Sequence, residues 1–356
     1  MLKEKKPNIS LIARKCDVSK MTVSRALRNE PCVAAPTRDM IFLAAEKMGF
    51  MPSGCYQAKN SQPVKNYSIL FQEECSLQDV YFREIILGIQ KELFAHGCGC
   101  SLGVLKNDYA EFLTLNTMLR SQQVHGVLVV GGVPVRYVET LAATFLNVIF
   151  IDYPGEPGIR RPYNTVCTDN VYGGHLAVGH LLDLGRKRVL FIGGKKEHYF
   201  SRDLFRAYEE CLTEYKIPLD PTLIRYGDFH VDSGTRVIQC ALEEGLRFDA
   251  IFSNDEMACG AIKALIRAGI KIPDEVAVVG FDGLPLGQAI TPALTTVMVD
   301  RENMAKQAVR RLLTLEQETG PETRFEKISL FPTLLIRESC GAKPERSVAK
   351  VEREIP

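Results

Sequence analysis

The apolar positions of the chain change period several times, and those changes divide it. In residues 9–27, ISLIARKCDVSKMTVSRAL, the side chains of Ile9, Ile12 and Ala13 fall on one helical face. A second apolar set, Val18, Val23 and Leu27, can pack against them across a sharp turn at Lys15-Cys16-Asp17. Ser19 stands where its hydroxyl can accept from a free backbone N–H and so cap the second helix. Pro36 can open a third helix, with an apolar stripe read as Met40, Leu43, Ala44 and Met48 and with Gly49 as its stop. Over residues 51–66, MPSGCYQAKNSQPVKN, no apolar period survives, and the segment reads as a hinge or linker.

Beyond the linker, strand-like runs at 68–71, 126–130, 147–152, 188–192, 250–253 and 276–281 alternate with helical patterns. Among the helical patterns, FREIILGIQKELFAHG, GGHLAVGHLLDLG and EMACGAIKALIRAG each end in glycine. Such alternation predicts parallel sheets with covered faces. Roughly 270 residues is large for a single core, so two lobes are expected. Ligands of open parallel sheets sit at the carboxyl ends of the strands. There the chain places Asp152 after VIFI, Asn254 and Asp255 after AIFS, and Asp282 after VVGF. A cleft lined by such groups suits a polyhydroxylated small molecule, although Asp and Asn are equally at home as caps and turn residues. The charged tail, 341–356, is expected to be disordered and is assigned no function.

Composition sharpens this division. With 356 residues there is room for two or three domains, and 46% hydrophobic and 24% charged residues are ordinary for a globular protein. The net charge of +1 conceals an asymmetry, because eleven Lys or Arg against five acids through Lys59 leave this end at +6 and the remainder at −5. A basic small domain joined to a mildly acidic larger one fits an electrostatic DNA reader. The second helix would present Lys20, Met21, Thr22, Ser24, Arg25 and Arg28. Lys and Arg neutralise phosphates, hydroxyls donate to phosphate oxygens, and an Arg can hold guanine O6 and N7 together. Met21 suits apolar contact, for example with a thymine methyl group.

Other classes find less support. MLKEKKPN shows no signal peptide, and no run approaches a transmembrane helix, so a cytoplasmic protein without membrane partners is expected. Eleven scattered cysteines without a C-x-x-C pair fit reduced thiols. The GGK at 193–195 is followed by Lys196, so it is not a P-loop, and the glycines of GCGCSLG do not form a dinucleotide fingerprint. The six histidines have no metal spacing, and His175 and His180 lie on different faces of one helix. No catalytic residue, metal or cofactor is therefore assigned. Two readings from other classes stay open: an α/β enzyme acting on a sugar or nucleotide with the first fifty residues as a docking module, and a protein that only captures sugar.

IARKCDVSKMTVSRAL, the later GFMP, TDNVYGGHLAVGHLLDLGRKRVLFIGG, DAIFSNDEMACGAIKALIRAGIKIPDEVAVVGFDG, PALTTV and LIRESC carry a resemblance in their order and spacing. From about residue 7 to 340, the chain resembles the lactose-repressor (LacI) family of bacterial transcription regulators. The resemblance implies an all-α helix-turn-helix domain over 1–50, a hinge over 51–66, and an α/β effector domain of two lobes over 67–340 with a periplasmic-binding-protein-like fold. The lobes are expected at about 67–168 plus 299–324, and 169–298 plus 325–340. A homodimer or dimer of dimers on a near-palindromic operator is implied, probing DNA with Lys20, Met21 and Arg25 at base-reading positions and Ser19, Thr22, Ser24 and Thr37 at phosphate positions. For a small effector, most readily a sugar, it implies Tyr81, Phe82, Asp152, Phe229, Asn254 and Asp282.

The chain departs from the family pattern in four places. Asp17 stands for the glycine of the first turn, a change that Asp tolerates because it visits left-handed backbone. In the hinge, Tyr56 and Lys59 replace an Ala and the Leu that wedges into the minor groove; Tyr56 is assigned to DNA contact, and three outcomes stay open for the hinge, that it binds phosphate instead, bends DNA less, or couples to the effector differently. Leu204 occupies the place of an effector-clamping arginine, with Ala207 and Tyr208 following; Arg202 or Arg206 could substitute, with Arg202 named for the site, but on a helix neither points where Leu204 does. The third helix has Ala34 in place of a capping hydroxyl, a loss of about 1 kcal/mol.

Overall fold

Asn8 and Ser19 open the first two helices by the same device. Each side chain accepts, at 3.0 Å, from an N–H three residues on, starting α1 (Ile9–Lys15) and α2 (Lys20–Leu27). Between them Asp17 takes φ 49°, the left-handed backbone that the tight turn requires. Helix α3 (Ala35–Lys47) begins with Pro36 in its first turn and no side-chain cap at Ala34. Ile12, Ala13, Val23, Ala26, Leu27, Ile41, Ala44 and Ala45 are buried together, with Ile9 and Val18 half-buried against them.

This corrects the stripe expected of α3, since Met40 and Leu43 are 44% and 54% exposed. The helix carries apolar side chains in two phases, and a step of one residue turns the buried face by about 100°. Packing selects the phase of Ile41, Ala44 and Ala45, whose two alanines admit the other helices closely.

The computed structural model describes residues 8–28, 30, 32–50, 64–73, 77–153, 155, 158–318 and 325–342. It divides into two compact units, Met1–Val64 and Lys65–Pro356. Most of the expected hinge, with Tyr56 and Lys59, and nearly all of the tail fall outside the described residues.

The second unit holds two six-stranded sheets. The first is built from β1 (Asn66–Gln72), β2 (Gly99–Leu105), β3 (Gly126–Val130), β4 (Val148–Ile151) and β5 (Asn164–Thr168), and the second from β6 (Val189–Gly193), β7 (Ile224–Tyr226), β8 (Ala250–Ser253), β9 (Ala277–Asp282) and β10 (Thr295–Met298). β11 (Lys327–Leu330) then completes the first sheet and β12 (Thr333–Leu335) the second. Strand orders are β11-β5-β4-β3-β1-β2 and β12-β10-β9-β8-β6-β7, parallel throughout except where β12 runs against β10. Helices α4 (Val80–Ala95), α5 (Tyr109–Ser121) and α6 (Val135–Thr144) follow strands of the first sheet. α7 (Asn170–Asp183), α8 (Tyr199–Glu214), α9 (Val231–Glu243), α10 (Asp255–Arg267) and the short α11 (Pro285–Ala289) belong with the second, and α12 (Arg301–Leu315) returns to pack on α4. Strands such as β3, β4, β6 and β8 are buried along their whole length, as both-sided cover demands.

The chain crosses between lobes after β5, after β10 and between β11 and β12. The last crossing lies later than the sequence reading put it, because β11 pairs in parallel with β5 and only β12 joins the second sheet. Pro332, which has no N–H to donate to a ladder, separates the two strands. Edge strand β2, within the GCGCSLG region, had no readable pattern because its burial follows no alternation. No helix among the described residues is long and apolar enough to cross a membrane.

Candidate functional site

Two places gather the polar residues singled out in the sequence. On the first, α2 leaves Lys20, Arg25 and Arg28 exposed, with Met21 at 62% exposure the most open large apolar side chain on that helix. Ser19 is exposed, while Thr22, Ser24 and Thr37 are half-buried. The Ser19 and Thr22 hydroxyls are 2.9 Å apart, and Arg28 donates to the Ser24 hydroxyl at 2.5 Å. Glu30 lies 3.7 Å from Arg25 and 3.6 Å from Arg28. Exposed ion pairs of this kind are worth little, so both guanidinium groups can be surrendered to a polyanion. Tyr56 lies outside the described residues.

The second place is a cavity of about 460 Å³ between the two lobes. Residues following strand ends line it: Asp79 and Tyr81 after β1, Asp152 after β4, His198 and Tyr199 after β6, Phe229 after β7, Asn254 after β8 and Asp282 at the end of β9. Tyr81, Phe82, Asp152, Phe229, Asn254 and Asp282, six of the seven residues named for an effector, are thus brought together. Three of them, Asp152 (φ 56°), Phe229 (φ 75°) and Asp282 (φ 116°), hold left-handed backbone that costs a non-glycine residue on the order of 1–3 kcal/mol. The surrounding fold offsets that strain where these side chains converge.

Arg202 is the exception. It sits on the exposed face of α8 and does not line the cavity. Leu204 points into the core at 2% exposure, and two residues along a helix turn the side chain about 200°, which carries Arg202 outward.

Sequence reasoning also missed Asp79, Lys195, His198, Tyr199, Phe200, Asp228, His230, Glu256 and Leu284, all of which line the cavity. Most follow strands directly, and a stricter use of the strand-end rule would have found them. The glycine pair after β6 gains a reason here as well. A Cβ on Gly194 would lie 2.0–2.3 Å from the Phe229 ring, so Gly194 is the seat of that ring.

Contacts across the cavity join the lobes. Tyr199, at the start of α8, donates to the main-chain oxygen of Asp152 at 2.6 Å. From α12, Arg301 donates to the main-chain oxygens of Asp282 and Gly283, and its Nε meets Glu84 at 2.6 Å. The Tyr81 ring lies 5.5 Å from that guanidinium. Asp255, a further strand-end acid, is fully buried and takes no part in the lining. Its carboxylate accepts from the Leu284 N–H at 2.6 Å and the Thr296 hydroxyl at 2.5 Å, fixing the turn that carries Asp282.

Acidic side chains outnumber basic ones in the cavity lining. Burial pushes the Asp152 carboxyl up to about 7 against hydrogen bonds from Tyr81 and Tyr199. Asp282 is raised well above the usual carboxylate range, first by enclosure and then by Asp255, with Arg301 opposing. Burial raises Asp79 too. Nearer solvent, Asp228 pairs with Arg236 and Glu256 with His230, each at 3.4 Å. Among the described residues no group of His, Cys, Asp and Glu is arranged to hold a metal ion.

Residues 8–53 match the model of bacterial regulatory proteins of the lacI family, and residues 178–340 that of a periplasmic binding protein-like domain. The chain is 29% identical over 345 residues to the HTH-type transcriptional repressor MelR of Bacillus subtilis (strain 168), covering 93% of this chain and 96% of that one. It is 28% identical to the HTH-type transcriptional repressor CytR of Escherichia coli (strain K12), covering 94% and 96%. Among solved structures, a complex of the transcriptional regulator CelR with cellobiose superposes with a TM-score of 0.68 at 26% identity, over 94% of this chain and 99% of that one. The Lac repressor bound to ONPG shares the fold, with a TM-score of 0.72 at 23% identity over 94% of this chain and all of that one.

Proposed function

We propose, from its match to the lacI family of bacterial regulatory proteins, that the chain is a repressor of that family whose hold on a near-palindromic operator is set by a small effector, a sugar or sugar derivative, in the cavity between its lobes. One observation carries the reading: a single chain joins a helix-turn-helix with Lys20, Met21, Arg25 and Arg28 on its open face to a two-lobed unit whose cavity collects strained strand-end residues. The sugar is suggested by the likeness to a cellobiose complex and by the cavity, where aromatic faces cover apolar ring surfaces and carboxylates and an amide meet hydroxyls.

In this reading Lys20, Met21 and Arg25 meet bases, Ser19, Thr22, Ser24 and Thr37 meet phosphates, and Arg28 and Tyr56 add further DNA contacts. A homodimer, or a dimer of such dimers, presents two reading heads, with the hinge as the link between head and effector unit. Closure of the lobes on the effector, through Tyr81, Phe82, Asp152, Phe229, Asn254 and Asp282, changes the spacing of the heads and with it operator affinity. By linkage, operator and effector alter each other's affinity by the same factor. The protein acts in the cytoplasm as a binding protein, without catalytic chemistry of its own.

Selection of bound fragments from genomic DNA by the purified protein tests this, followed by titration of the enriched site at two salt concentrations. The expected result is a palindrome bound with submicromolar, steeply salt-dependent affinity that a small molecule alters. Failure to enrich any sequence, with metabolite pools present or absent, would overturn the reading.

A further inference from the structure

The cavity is rich in acceptors and poor in cationic donors. Asp79, Asp152 and Asp282 line it; Asp79 weakens the ionisation of Asp152, and both weaken that of Asp282. The nearby guanidinium, Arg301, is spent on Glu84 and on the carbonyls of Asp282 and Gly283. The position that would hold a clamping arginine is Leu204, buried in the core. Lys195, His198 and His230 supply the basic groups among the lining residues, with His230 beside Glu256.

A second observation points to a ligand independently of these acids. Asn254, 6% exposed, donates its Nδ2 hydrogen to the Phe229 carbonyl at 3.0 Å, which orients the amide and leaves Oδ1 buried without a partner. An unpaired buried acceptor costs on the order of 1–3 kcal/mol until a donor arrives. Around these acceptors stand the rings of Tyr81, Phe82, Tyr199, Phe200 and Phe229.

We propose that the effector carries a protonated amine, as an aminated monosaccharide or disaccharide does, and that phosphorylated or carboxylated sugars are excluded. This rests on the cavity being the effector site. An ammonium group brings three donors and a positive charge to carboxylates that burial and mutual repulsion hold back from ionising. Aromatic faces attract the same cation. A phosphate or carboxylate would instead oppose the ionisation of these acids, and no arginine stands among the described lining residues to receive it.

The test measures binding of full-length protein at neutral pH to glucosamine, galactosamine, mannosamine and the β-1,4 disaccharide of glucosamine. Each is compared with its neutral parent sugar, and glucosamine also with its 6-phosphate and with glucuronic acid. At least one amine is expected to bind ~10-fold or more tightly than its parent, and the phosphate to abolish binding. In Asp282→Asn that preference should shrink, while Glu243→Gln, exposed on α9 and outside the cavity lining, should keep it; thermal melts of both separate the effect from misfolding. A parent sugar binding as tightly, an anionic sugar binding better, or no amine binding at millimolar concentration would overturn the proposal. Operator titrations run alongside keep the two readings apart. Operator release by a neutral or anionic sugar sinks the amine and leaves the regulator standing, whereas amine binding without any operator binding does the reverse.

Discussion

Tyr199 reaches across the cavity to hydrogen-bond the main-chain oxygen of Asp152 at 2.6 Å, so a residue at the start of a second-lobe helix holds the end of a first-lobe strand. The same phenol lies 3.5 Å from the Asp152 carboxylate. Ligand contact with Asp152 therefore acts directly on a bond between the lobes. In Tyr199→Phe the bond is lost at a cost of about 1 kcal/mol. Urea unfolding should show that loss, and effector titration should show affinity falling several-fold; unchanged effector affinity would disconnect the bond from ligand binding.

Asp152 also predicts a pH effect of definite sign. Its carboxyl is raised from 3.8 to about 7 by burial, so the folded chain binds this proton more tightly than the unfolded chain does. The favourable contribution is complete below the unfolded value and is lost as pH rises through the folded one. Tyr81 and Tyr199 oppose the shift, and Asp203 and Asp79 add to it. Relative to wild type, Asp152→Asn should gain stability between about pH 4 and pH 7, read as a difference in melting temperature that grows across the window by roughly 2–4 °C for each kcal/mol. A pH-independent difference would refute the assignment.

Gly194 is predicted to be intolerant for a steric reason. An added Cβ meets the Phe229 ring at 2.0–2.3 Å, so Gly194→Ala must displace the ring from the cavity. Overpacking of this kind costs about 1–3 kcal/mol, and effector affinity should fall ~10-fold or more. Operator binding without effector should stay at the wild-type level, which a gel-shift titration checks.

On the recognition helix, Arg25 and Arg28 share Glu30 yet should behave differently. Arg25→Ala should cost about 1–3 kcal/mol and relax selection at one base pair. Arg28→Ala should weaken all sequences alike and lower the salt slope by ~1. A library of single-base operator variants titrated at two salt concentrations separates these outcomes.

Much of this protein was legible in the chain because it depends on local pattern. Helical spacing around Ile12 and Val23, the Ser19 cap and the turn at Asp17 are set within a few residues of one another, and the structure shows all of them. Buried strands such as β3 and β8 were readable because cover on both faces makes them continuously apolar. Where two local solutions were equally apolar, only packing could choose, as in the phase of α3, and where Pro332 splits the last segment, only the sheets decide which strand goes where. The cavity belongs to the same class. Asp152, Asn254 and Asp282 announced themselves at strand ends, but Tyr199, His198 and the seat at Gly194 gain meaning only when residues distant in sequence meet. Arg202 shows both sides: helical spacing alone says that it does not point where Leu204 does, and packing decides that Leu204 is the one turned into the core.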